Sequence, residues 1–144
     1  MATRPLLAPA LPAAAFALAA LMAACGQMAT LADEGPERPT TLRFSLEPEN
    51  SLAGQPISPA VGVTVFDNFG DTSFSSTATV RLSIELGTGA PSARLHGDTV
   101  IAAVNGTALF TTVSIDSAGT GYRLLATSDG LGSAQSDTFN VARP

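Results

Sequence analysis

The chain has no lysine and no tryptophan, one cysteine, one histidine and one tyrosine, and only 13% of its 144 residues are charged. Each scarcity closes a route to function. With a single cysteine no disulfide can form within the chain, and a zinc site of four cysteines is excluded. The seven basic residues are all arginines, and the net charge is −5. Binding to a phosphate backbone needs grouped cations, so nucleic acid is excluded as a partner. An aromatic content of 6% without tryptophan argues against a sugar-stacking platform. No glycine-rich stretch follows a strand pattern and opens a helix, so no phosphate-cradling loop is present. The lone histidine, His96, sits in Ser92-Ala93-Arg94-Leu95-His96-Gly97, which contains no nucleophile elbow. Apart from a small cluster at Asp33, Glu34 and Glu37, the acids stand singly (Asp67, Glu85, Asp98, Asp129). Solitary acids nominate no facing pair of the kind that glycoside hydrolysis requires. The chain therefore reads as non-catalytic, with no cofactor implied.

What is present begins with an export signal. Arg4 supplies a short positive start, and Ala13 to Met22 form an apolar core of signal-peptide length. Pro5, Pro9 and Pro12, followed by a mostly alanine run, make it a poor transmembrane span, which needs about 20 strongly apolar residues. Residues 1–24 are thus expected to be removed, leaving about 120 residues, enough for one two-layer core. The core runs into Leu21-Met22-Ala23-Ala24-Cys25-Gly26. That segment resembles the lipobox of bacterial lipoproteins, in which the cysteine is lipidated and becomes the first mature residue. Met22 stands where the pattern usually has leucine, and this leaves cleavage by ordinary signal peptidase as the alternative. The resemblance implies lipidation at Cys25 and a membrane partner at the N-terminus. Residues 25–40, with Pro36 and Pro39 and little periodicity, read as a flexible tether.

Residues 41–144 read as one domain of short strands. Apolar residues recur at period two between clusters of Gly, Pro, Asn and Asp. Leu42, Phe44 and Leu46 form one such set, and Val61, Val63 and Val65 another. Val80, Leu82, Ile84 and Leu86 are the cleanest. Val100–Val104, Ala108–Ile115, Tyr122–Ala126 and Phe139–Val141 follow. Phe44, Phe66, Phe110 and Phe139 are expected in the core. Asn105-Gly106 lies between two such runs and predicts a hairpin turn, and Gly70 serves a turn at Asp67–Asp71. About seven strands in this length predict an all-β, antiparallel, Greek-key sandwich.

Ser51–Val61 with Val63-Thr64-Val65 and Asp67-Asn68-Phe69-Gly70, Ala103–Phe110, Ala118–Leu124, Ser128–Leu131 and Phe139-Asn140-Val141 together resemble bacterial immunoglobulin-like repeat modules. The resemblance spans residues 41–141 and implies an immunoglobulin-like sandwich on the cell envelope. Its role there would be spacing, adhesion or contact with envelope or surface proteins. A single copy departs from the tandem habit of such modules. Tyr122, following Ala118-Gly119, is expected to form a tyrosine corner whose hydroxyl bonds back near Asp116. Asp67, Asn68 and Asp71 form the one oxygen-rich cluster; a turn is the first reading and calcium the second. Phe69 and Phe74 flank that turn, either capping the sandwich or forming an apolar patch for a partner. The alternative function is a secreted or periplasmic module, without an anchor, for calcium, a glycan or another small ligand.

Overall fold

The computed structural model describes residues 36–144, and from Pro39 onward the chain runs through short strands and turns, with no helix among the described residues. The expected leader, Cys25 and most of the expected tether lie outside the described residues.

Twelve strands group into seven passes along the domain. The first is β1 (Pro39–Leu46), which begins two residues before the expected boundary and continues into β2 (Ser51–Leu52). The second and third are β3 (Val61–Asp67) and β4 (Thr79–Ile84). The fourth is β5 (Leu95–His96) with β6 (Val100–Ala102), and the fifth is β7 (Thr107–Phe110) with β8 (Ser114–Ile115). The sixth is β9 (Gly119–Tyr122) with β10 (Leu124–Thr127), and the seventh is β11 (Ala134–Gln135) with β12 (Phe139–Ala142).

One layer has the order β1-β3-β7, and the other β11-β10-β4-β6, prolonged by β2-β12-β9. Chain-distant strands are neighbours, β3 with β7 and β4 with β10, because the connections after β3 and after β8 cross between layers. This is the Greek-key antiparallel sandwich that the strand spacing predicts, with β2–β12 as a parallel exception.

The core follows from side-chain alternation. Val61, Val63 and Val65 face Val80, Leu82, Tyr122, Leu124 and Ala126 across a dry interior, and all are 5% exposed or less. Phe110 and Phe139 are equally buried. Each such Val, Leu or Phe contributes about 1.5–3 kcal/mol when fully buried, so the valine-rich second pass is a main source of stability. Phe66, expected inside, is one residue out of phase with Val65. It lies on the outer face with the Arg43 guanidinium 4.9 Å above its ring.

Period two overreached at three other places. The third pass ends at Ile84, and Leu86 lies beyond it, 97% exposed. The fourth pass ends at Ala102, leaving Val104 in a turn and 71% exposed. The fifth is interrupted at residues 111–113, where Ile57 N–H donates to the Val113 carbonyl at 2.8 Å and the Thr112 hydroxyl accepts from Asp98 N–H at 2.9 Å.

Sheet edges are hazards because their open backbone groups invite pairing, and both sides of this sandwich are stitched. Along one side the first pass bonds to β3 and also to the turn leading into the seventh pass, with Leu42 N–H to the Gly132 carbonyl at 3.1 Å and Gly132 N–H to the Thr40 carbonyl at 2.8 Å. Along the other side the fourth pass changes partner, pairing first with β8 through β5 and then with β4 through β6.

Candidate interaction surface at the ends of the sandwich

The two ends of the domain differ. The near end is where the described chain begins and where β3 gives way to β4. Asp67 organises it: its buried Oδ1 accepts from Phe69 N–H at 2.8 Å and Asp71 N–H at 3.0 Å. Its backbone N–H donates to the Asp71 carbonyl at 2.9 Å. Gly70 completes the turn at φ +91°, a conformation that side chains resist. Asn68 clamps the incoming chain, accepting from Arg38 N–H through Oδ1 at 2.8 Å and donating its own N–H to the Arg38 carbonyl at 3.0 Å. Of the oxygens considered for calcium, Asp67 Oδ1 and Asn68 Oδ1 are thus engaged by backbone donors. No group of three or more His, Cys, Asp or Glu side chains gathers for a metal among the described residues.

Beside this turn lies the hairpin of Val104–Thr107. Asn105 at φ +52° and Gly106 at φ +78° give the two positive dihedrals that a two-residue hairpin favours. Gly106 also permits close approach: a Cβ there would strike the Ser73 carbonyl oxygen, and its own carbonyl accepts from Val65 N–H at 2.8 Å. The 67–76 segment and the hairpin are therefore locked together. They present Phe69 at 44%, Phe74 at 72% and Val104 at 71% exposure on the same end. Both phenylalanines are thus exposed at this end. Val104 was missed because alternation counted it as strand interior.

The far end carries the loop of residues 85–94 and the start of the sixth pass. The Tyr122 hydroxyl donates to the Ser117 carbonyl at 2.8 Å, one residue from the partner expected. Its ring lies 5.9 Å from that of Phe139 and packs against Gly89, where a Cβ would strike it. The tyrosine is wholly buried with its one polar atom satisfied, so it pins the turn into the sixth pass.

Next to it His96 and Asp116 face each other across the β5–β8 pair, Nε2 to Oδ2 at 3.2 Å, both exposed. Asp116 Oδ1 also accepts from Arg94 N–H at 2.9 Å and from the Ser117 hydroxyl at 2.9 Å. The Arg94 amide, then Ser117, then His96 hold the Asp116 carboxyl down at about 2. The contacts run Ser117–Asp116–His96. The histidine does not touch the serine hydroxyl, so no base is placed to activate it. The cluster ties β5 to β8. A cleft of about 330 Å³ beside Leu86 and Pro91 is lined by Glu85 as its one titratable group. Convergent polar groups of the kind that fix a small ligand are absent from it.

No protein-family model matches the chain, and no curated protein does. Two solved structures of Parabacteroides merdae β-glucuronidase are similar to it. One is 23% identical, with a TM-score of 0.46 over 68% of this chain. The other, holding glycerol in its active site, is 21% identical, with a TM-score of 0.47 over 74%. In both, the match spans 12% of the glucuronidase chain.

Proposed function

We propose that this chain is a non-catalytic lipoprotein of the bacterial cell envelope, lipidated at Cys25, that displays one immunoglobulin-like module for spacing, adhesion or protein–protein contact. The observation that carries the reading is the sequence Leu21-Met22-Ala23-Ala24-Cys25-Gly26 at the end of an apolar core, with the chain's one cysteine at the lipid-acceptor position. Two or more acyl chains give stable anchoring where one gives marginal binding. The sandwich supports the reading from the other side. Its histidine, with Asp67, Asp116, Ser117 and Ser136, serves turns and strand ties, its edges are stitched, and its far end projects loops away from the end at which Arg38 enters the domain. Those loops, with Leu86 fully exposed, are the surface available to an envelope partner.

The test is detergent-phase partitioning of the full chain and its Cys25→Ser variant from a bacterial host, with the intact mass and N-terminal residue of each. The expected outcome is an acylated Cys25 at the N-terminus and transfer of the variant to the aqueous phase. A wild-type protein of unmodified mass in the aqueous phase would replace this reading with the unanchored, secreted or periplasmic one.

A further inference from the structure

The apolar patch at the near end stands beside the place where the chain enters the domain. Arg38 is paired through both backbone groups with Asn68, the residue before Phe69. Phe74 and Val104 are, after Leu86, the most exposed large apolar side chains of the domain; Phe69 is less exposed, and the locked 67–76 and 104–107 turns hold all three at this one end. Leu86, the most exposed of all, lies at the other. A rigid cluster of exposed apolar side chains at one end is the mark of a contact surface.

We infer that Phe69, Phe74 and Val104 form a second membrane contact, dipping into the lipid interface when the chain is held by its N-terminus. This inference rests on the lipoprotein reading above. What selects lipid as the occupant is the length and attachment of the chain that precedes the domain. Residues from Cys25 to Arg38 can span at most roughly 45 Å when fully extended, and they join the domain at this end. A lipid-held Cys25 therefore keeps the patch within roughly 45 Å of the bilayer. The Leu86 end is further away by the length of β4, roughly 20 Å. Asp71 shares the turn of Phe69 and Arg38 is paired with Asn68 beside it, while the Asp67 carboxylate is buried in its turn. One charge of each sign beside the patch fits a zwitterionic headgroup surface. Two phenylalanines and a valine on tight turns can enter the headgroup boundary without unfolding any strand. The contact would orient the module upright or tilted on its near end, leaving the far-end loops outward.

The absence of tryptophan makes the test direct. Phe74→Trp and, as the far-end control, Leu86→Trp are introduced separately into the full acylated chain, reconstituted in phosphatidylcholine vesicles with or without bromine in the acyl chains. Flotation with the vesicles reports the anchor, and tryptophan emission reports the patch. The expected result is co-flotation of both variants, with a blue shift and bromine quenching at position 74 and neither at 86. Co-flotation with position 74 unquenched overturns the membrane contact and leaves the anchor standing. Failure to float overturns both. A blue shift at 74 that depends on protein concentration without vesicles assigns the patch to a second copy of the chain and also overturns the proposal.

Discussion

Single polar atoms decide much of the local order, and two buried serines show the contrast. The Ser136 hydroxyl accepts from Leu124 N–H at 2.9 Å and donates to the Asp137 carbonyl at 2.8 Å. It thereby replaces the ladder bond lost where the seventh pass breaks between β11 and β12. The Ser73 hydroxyl is equally buried and has no hydrogen-bond partner. Removing a partner from a buried donor costs about 1–3 kcal/mol, whereas removing an unsatisfied group costs little. Ser136→Ala should therefore lower stability by roughly 1–3 kcal/mol in chemical denaturation. Ser73→Ala should leave it unchanged or raise it. Equal losses in the two variants would refute this account. Neither role is legible in sequence, because Ser73 and Ser136 sit in similar polar stretches and differ only in what folds against them.

At the scale of elements, the short β5–β8 pairing depends on Asp116. Its carboxyl is lowered from 3.8 to about 2 by the Arg94 amide first, then Ser117 and His96. A depressed carboxyl adds stability that is fully present above its unfolded value, near 4, and lost as pH falls toward 2. The exposed setting keeps the contribution small. Backbone amides of residues 94–97 and 114–117 should lose hydrogen-exchange protection between about pH 4 and pH 2 in the wild-type chain. In Asp116→Asn, protection there should start lower and change less across the same interval. Protection that falls equally in both would show that Asp116 does not hold the pair. The strands themselves vary in how readable they are. The second pass was plain because valine recurs on every second residue, and the 105–106 hairpin because Asn-Gly suits positive φ. The two-residue strands β2, β5 and β11 were invisible, since so short a segment has no period and is extended only because a neighbour bonds to it.

For the domain as a whole, stitching at both sides leaves one core and no separable sheet among the described residues. Stability should then be lost in one step. Tyr122 is the one tyrosine, wholly buried, in a chain with no tryptophan, so its fluorescence reports the core directly. Thermal unfolding followed by tyrosine emission and by far-ultraviolet circular dichroism should give coincident transitions. Separate midpoints would mean that one layer survives the loss of the other.

By itself the sequence determined the all-β architecture, about seven passes, the Asp67 and Asn105-Gly106 turns and the tyrosine that pins the far end. These follow from alternation and local turn chemistry, which act over a few residues. Only the tertiary structure decided that Phe66, Leu86 and Val104 face outward, that Asp116 joins His96, and that Phe69 and Phe74 share an end with Val104 where the chain enters. Those outcomes depend on where each strand stops and which distant segment lies beside it. A period of two carries the face of a residue, but carries neither its register nor its neighbours.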